Sequence, residues 1–334
     1  MIREAVEGAP SLVLTPAVVA HRGASGHRPE HTLDAYRTAI RMGVDDIELD
    51  LVATRDGVLV ARHDLELSAT TDVADRPGLA HLRRTLVVDG AEEHGWFVQD
   101  LTLPELKTLA ARERMPGTRH GNTAYDGAEG VPTLTEVLAM VGAESVRRGR
   151  PVGVALELKH AAHHDAVGLP LDVPLLRELA RHGLDHPWAR VALMSFEAPI
   201  LRRLAERTRL PVVQLLDRGH ALTPDELDRI DEYADGLGAH RSLVMPRDAD
   251  GAIGEPSSLV RDAHRRGLTV HAWTVRAENR FLPTNLRRGT ASDALGDMAG
   301  EVRALLAAGV DGVITDHPEE ALSVVREQTA TAVG

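Results

Sequence analysis

Short runs rich in Val, Ile and Leu alternate with segments of helical period almost from end to end of this chain. Strands are expected at Val18 to Ala20, Asp46 to Val52, Val152 to Leu158, Arg190 to Met194, Val212 to Leu215, Gly236 to Gly238, Thr269 to Thr274 and Gly312 to Ile314. Helices are expected at Thr32 to Met42, Leu134 to Val141, Leu175 to Arg181, Pro199 to Glu206, Pro224 to Tyr233, Ser257 to Arg266 and Asp297 to Ala308. Strands that alternate with helices pair in parallel, because each helix carries the chain back to the starting edge of the sheet. Eight such units close a barrel, so the expected fold class is α/β, a TIM (β/α)8 barrel. Gly43, Gly183, Gly267 and Gly309 each follow a helical stretch, where a left-handed residue ends the helix. "TPDEL" at 223–227 reads as a helix start, with Thr223 as N-cap and Pro224 in the first turn.

The rhythm breaks between about 65 and 130. "VLVARHD" at 58–64 follows an "RDG" turn and reads as a hairpin partner of the second strand. "DLTLPELKTLAARE" at 100–113 reads as a helix. We expect one domain over 1–334 with residues 65–130 as an insertion subdomain over one face of the barrel, in which Trp96 and Phe97 are core. A length of 334 residues suits a single barrel with an insertion.

Charge narrows the partners. With 38 basic and 50 acidic residues the net charge is -12, which argues against nucleic acid or an anionic membrane surface as partner. No run approaches the roughly 18 apolar residues of a spanning helix, so no stable membrane insertion is expected. Composition sets no oligomeric state. The N-terminal "MIREAVEGAPSLVLTPAVVAHRG" is broken by Pro10 and Pro16 and lacks the layout of a signal peptide. As written this predicts a cytoplasmic protein, and a periplasmic or secreted one if a leader has been removed. The absence of cysteine excludes disulfides and thiolate metal sites.

Three strand ends carry the chemistry. In "DDIELDLVATRDG" at 45–57, alternation puts Glu48 and Asp50 on one face and Ile47, Leu49 and Leu51 on the other. In "PVGVALELKH" at 151–160, Glu157 and Lys159 again share a face, and "VVAHRG" at 18–23 ends in His21 and Arg22. Taken singly, these are solvated strand ends or a surface salt bridge. In a parallel barrel the carboxyl ends of the strands form one rim, and neighbouring strands lie about 5 Å apart. Three carboxylates then make a hard oxygen site for one divalent cation, Ca²⁺ or Mg²⁺. Arg22 and Lys159 supply the cationic clamp that a phosphoryl group wants. His21 and His63 are the candidates for the acid and base that P–O cleavage needs. The other histidines, among them His81, His94, His120, His163, His164, His182, His220 and His264, are expected to be solvated.

"AHRGASGHRPEHTLDAY", "GVDDIELDLVATRDGVLVARHD" and "TTDVADRP" closely resemble the glycerophosphodiester phosphodiesterase family, particularly its bacterial periplasmic branch, which shares the "PEHT" variant where other members have Asn in place of His31. The likeness continues through "ELK" at 157–159, "VVQLL" at 212–216, "YADGLG" at 233–238, "VHAWTVRAEN" at 270–279 and "GVDGVITDHP" at 309–318. It implies a TIM barrel that hydrolyses small-molecule glycerophosphodiesters, with a metal, to sn-glycerol 3-phosphate and an alcohol. By the resemblance, His21 and His63 are the acid/base pair, Arg22 and Lys159 contact phosphate, and Glu48, Asp50 and Glu157 bind the metal. Trp273 takes the position where many members place a pocket-shaping aromatic residue, often Tyr in periplasmic relatives. Glu30 is a candidate for orienting Arg22, and Phe196 and Gln214 for lining the pocket.

Two rival readings share the barrel. One is a lyase-type phospholipase D that attacks choline phospholipids at a membrane; the acidic balance and the lack of an interfacial apolar surface weigh against it. The other is a noncatalytic barrel that only holds a phosphodiester, which retention of every expected catalytic residue type disfavours.

Overall fold

The computed structural model describes residues 15–333 other than 221, with the side chains of 331–333 left aside. Pro10 and the other residues before 15 in the N-terminal stretch read above for a leader lie outside the described residues. Eight parallel strands form the barrel: β1 (Ala17–Ala20), β2 (Asp46–Ala53), β6 (Gly153–Leu158), β7 (Val191–Ser195), β8 (Val212–Leu216), β9 (Gly236–His240), β10 (Thr269–Val275) and β11 (Gly312–Thr315). Closure is direct: β1 pairs with β11 in register Val18↔Val313 and with β2 in register Val19↔Asp46. β3 (Leu59–Ala61) is the expected hairpin partner, antiparallel to β2.

Each barrel strand lies where periodicity places it, within a residue or two at each end. The helix punctuation follows the same local physics. Gly43 ends the Leu33–Met42 helix at φ 110°, and Gly183, Gly267 and Gly309 are also left-handed. The Thr223 hydroxyl accepts from the Glu226 N–H at the start of Pro224–Asp231. The main apolar core lies between the outside of the barrel and its helices, and includes Ile47, Leu49, Leu156, Leu193 and Val270. A smaller cluster inside the barrel, with Val19, Met194, Leu215 and Ile314, floors the rim cavity.

Between β3 and β6 stands a second apolar cluster, built on Leu65, Leu67, Trp96, Phe97, Leu101 and Leu106 and seated against Val52 and Val60 of the β2–β3 hairpin. Trp96 donates its indole N–H to the Leu79 carbonyl, 2.8 Å away, and Phe97 is fully buried. This region contains an antiparallel hairpin, β4 (Arg84–Val88) and β5 (Ala91–Gly95). The helix expected over 100–113 is only Leu103–Leu106. A capping box of Thr102 and Glu105 starts it, but Ala110 and Ala111 are drawn into bridges with Gly130 and Thr71. Tertiary pairing of the backbone overrides local helical preference there. A helix over Pro318–Val333, beyond those expected from periodicity, packs on the barrel after β11. Among the described residues no helix is long and apolar enough to cross a membrane.

Candidate active site

The "HRG" turn follows β1 and aims two side chains into the rim. Arg22 is left-handed, φ 57°, and its backbone N–H donates to Glu48 Oε2 at 2.8 Å. Gly23 is required next: its φ is 85°, and a Cβ there would stand 2.7 Å from the Ala35 carbonyl carbon. His31 is likewise left-handed at φ 56°, and its N–H closes the loop onto the Arg22 carbonyl at 3.1 Å. Such strain in non-glycine residues costs about 1–3 kcal/mol each and persists where surrounding contacts over-determine it.

Glu48, Asp50 and Glu157 converge as their strand positions imply. Asp50 of β2 stands directly opposite Glu157 of β6, and one oxygen from each of the three carboxylates lies within 4.8 Å of the others. All three are buried. Burial, together with the charges of Asp50 and Glu157, pushes Glu48 well above the usual carboxylate range. Burial also lifts Glu157 to about 7, with Lys159 opposing the shift and Asp50 adding to it. Asp50 stays low in spite of burial, because His63, Lys159, Arg22 and a hydrogen bond from His31 favour its ionised form. Buried carboxylates at such separation need a cation. Glu48 Oε1 and Glu157 Oε1 are buried without a hydrogen-bond donor, although Lys159 Nζ stands 2.8 Å from the latter as an ion pair. Orphaned oxygens on an all-oxygen donor set fit a hard divalent ion.

Arg22 is held on both sides. Its Nη1 donates to both oxygens of Glu30 at 3.1 Å, and its Nε lies 3.3 Å from Asp50 Oδ2. Glu30 therefore does orient Arg22, and is itself gripped by Arg114 of the insertion through two 2.7 Å hydrogen bonds. Lys159 Nζ stands 3.2 Å from His63 Nε2 and over the Phe196 ring at 5.4 Å.

Both histidines face one cavity of about 370 Å³, and each rests its far nitrogen on a carboxylate. His21 Nδ1 lies 2.6 Å from Asp316 Oδ1, and His63 Nδ1 hydrogen-bonds Asp64. Asp316 is anchored by Arg119 and Arg276, each at 2.6 Å, and Asp64 by Arg114, also at 2.6 Å. Burial, reinforced by Arg22, depresses His21 to about 4 against the pull of Asp316. Burial with Arg22 and Lys159 takes His63 to about 3. Both imidazoles are thus neutral near pH 7, with Nδ1–H on the carboxylate; His21 Nε2 is left without a protein partner among the described residues, and His63 Nε2 accepts from Lys159 Nζ.

Trp273 lines the cavity, with its indole N–H spent on the Gly238 carbonyl at 2.7 Å, and packs edge-on with Phe196 and His240. Phe196 lines it too. Gln214 does not: its amide is tied to the carbonyls of Phe196 and Leu215 and to the Tyr233 hydroxyl. His164, expected to be solvated, is wholly buried, with neither ring nitrogen hydrogen-bonded. The helix Ala161–Ala166 turns its ring inward, whereas a six-residue helix shows too little period in sequence to reveal that face.

Sequence reasoning missed Asp64, Asp316, Arg114 and Arg119. Asp64 adjoins His63 in "RHD" and was legible as a neighbour; the two arginines come from the insertion, where no local pattern marks them.

A closed parallel barrel with an acidic trio and two carboxylate-backed imidazoles on one rim defines a class, a TIM-barrel hydrolase built to grip an anion. Comparison with known proteins agrees. The model of the glycerophosphoryl diester phosphodiesterase family matches residues 21–320. A glycerophosphodiester phosphodiesterase of Arabidopsis thaliana is 33% identical over 291 residues, 80% of this chain and 76% of the relative. One of Bacillus subtilis is 30% identical over 325 residues, 93% of this chain and 85% of the relative. In fold, the chain is similar to an Oleispira antarctica phosphodiesterase solved in complex with the product sn-glycerol-3-phosphate, at a TM-score of 0.63 and 21% identity, covering 93% of this chain and 97% of that one. The chain belongs to the glycerophosphoryl diester phosphodiesterase family and is a phosphoric diester hydrolase.

Proposed function

We propose that this protein hydrolyses glycerophosphodiesters to sn-glycerol 3-phosphate and an alcohol, with one Ca²⁺ or Mg²⁺ held by Glu48, Asp50 and Glu157. The observation that carries the reading is the gathering of those carboxylates within 4.8 Å beside a cavity lined by both His21 and His63. Family membership and the product complex of the Oleispira relative support the substrate class. The ion would supply charge stabilisation at the nonbridging oxygens.

Arg22 and Lys159 bind the phosphoryl oxygens and disperse charge as the pentavalent transition state forms. His21 is assigned as the base, because its Nε2 has no protein partner among the described residues whereas that of His63 meets Lys159; it takes the proton from the nucleophile, water or the neighbouring glycerol hydroxyl. His63 is assigned as the acid: the anionic phosphate bound beside it offsets Arg22 and Lys159, which hold it neutral in the empty site, so that Nε2 takes up the proton it then gives to the departing alkoxide. Asp316 and Asp64 each hold Nδ1, so that the proton exchanged with the substrate moves through Nε2. Trp273 and Phe196 shape the apolar wall, and residues 65–130 act as a subdomain of the same enzyme, delivering Arg114 and Arg119 to the rim. Release of glycerol 3-phosphate from glycerophosphocholine, with and without chelator and beside a lysophospholipid, tests the reading. Chelator-sensitive turnover of the soluble diester is expected; turnover of the lipid alone, or of neither, sinks it.

A further inference from the structure

The rim is divided by charge. The carboxylates sit on β2 and β6, the second and third strands round the barrel, and Lys159 directly follows β6, while the far wall comes from the ends of β8, β9 and β10, starting at the fifth. There Arg218, Arg241 and Arg276 line the same cavity as His21 and His63, and Arg247 lies within electrostatic reach of Arg241.

Neutralisation of this group is incomplete. Arg241 donates to Glu301 at 2.5 Å, and Arg276 to Asp316 at 2.6 Å, which already serves Arg119 and His21. Arg241 and Arg247 both donate to the Phe281 carbonyl, and the buried Arg241 Nε has no acceptor. Neither Arg218 nor Arg247 has a carboxylate within ion-pair distance among the described residues, and the Arg218 guanidinium has no hydrogen-bond acceptor there. The one other acid on this wall, Asp217, turns Oδ1 to the Arg218 backbone N–H at 2.6 Å. His240, set among these cations, is depressed to about 4 by burial and then by Arg218, Arg241 and Arg247. In a chain of net charge -12, such a concentration of guanidinium groups is not the by-product of a basic surface. Like charges held together repel, and a dianion bridging them relieves that cost while accepting charge-assisted hydrogen bonds.

We propose that this arginine wall is a second anion subsite, and that the preferred substrate is a glycerophosphodiester carrying a further phosphate group beyond the scissile one. The inference rests on the diesterase reading above. The scissile phosphate lies at the carboxylate side with Arg22 and Lys159, and the second anion reaches across the cavity to Arg218 and Arg241.

The test compares kcat/KM for glycerophosphoglycerol with that for the same diester bearing a phosphate monoester on a terminal hydroxyl, in excess Mg²⁺ or Ca²⁺. The wild type should favour the phosphorylated diester about tenfold or more, the worth of one charged hydrogen bond, mainly through KM, and the preference should shrink with added salt. Arg218→Gln, at an exposed position without a side-chain partner, should lower that ratio about tenfold. A wild-type ratio near one, or a ratio that Arg218→Gln leaves unchanged, overturns the subsite while turnover of the plain diester preserves the diesterase reading. Turnover of neither diester overturns that reading itself, and the subsite with it.

Discussion

His31 Nε2 lies 2.8 Å from Asp50 Oδ2, both groups almost wholly buried, while His31 Nδ1 meets the Tyr36 hydroxyl at 2.7 Å. With the Tyr36 O–H donating to Nδ1, the imidazole carries its proton on Nε2 and donates that N–H to the ionised carboxylate. One oxygen of Asp50 is thereby fixed and the other left for a cation. Partners of this kind set ligand orientation, and their loss typically costs 10–100-fold in metal affinity. His31→Ala should weaken Ca²⁺ or Mg²⁺ binding by about that factor in calorimetric titration, with the fold retained by circular dichroism. Unchanged affinity would remove His31 from the site.

Metal affinity should also follow pH. In the metal-free protein burial raises Glu157 to about 7 and lifts Glu48 as well. A cation must displace those protons, so affinity falls as pH drops below 7, by up to about tenfold per unit for each proton released. Titrations at pH 5.5 and 8 in buffers of different ionisation enthalpy count the protons; a pH-independent affinity contradicts the assignment.

His63→Ala should lower kcat by about 10²–10⁴-fold, the usual worth of a positioned acid, without loss of metal binding, because the hydrogen bonds of His63 go to Lys159 and Asp64 and to none of the three ligands. Glycerol 3-phosphate release measures the first and metal titration the second. Undiminished turnover takes His63 out of the mechanism.

Asp316→Asn should act through His21. An amide can donate to Nδ1 and favour the tautomer with the proton on Nε2, where a base is needed empty. We expect a fall in kcat with KM little changed, while Asp316→Glu, which keeps a carboxylate at that position, retains part of the rate that the amide loses. A change confined to KM would assign Asp316 to binding alone.

Stability should fall on the acid side. Burial lowers His164 to about 4, reinforced by His163 and His160, and burial likewise lowers His21 to about 4. In the unfolded chain a histidine takes up its proton near 6.5. The unfolded state therefore binds more protons between 6.5 and 4, and stability, full above 6.5, is lost as pH falls through that window. His164→Leu should flatten the dependence of the urea midpoint on pH in that range. An unaltered profile would mean that the ring opens to solvent at little cost.

The alternation of β-rich and helical segments was enough to place all eight barrel strands, because parallel strands buried on both faces need continuous apolar runs and crossover helices need an apolar stripe. The period of two put Glu48 with Asp50, and Glu157 with Lys159, and the barrel rule brought those pairs to one rim. Residues outside that repeat were not legible. Arg114 and Arg119 reach Glu30, Asp64, Asp316 and Glu278 from a turn-rich insertion whose path is set by its own apolar cluster. The pairing of Asp316 with His21 joins positions 295 residues apart, which barrel closure makes neighbours. Local sequence dictates backbone period and which way a side chain points. Which charges then meet, and so which imidazole is neutral and which carboxylate holds its proton, depends on burial and distance, and these exist only once β1 has closed against β11.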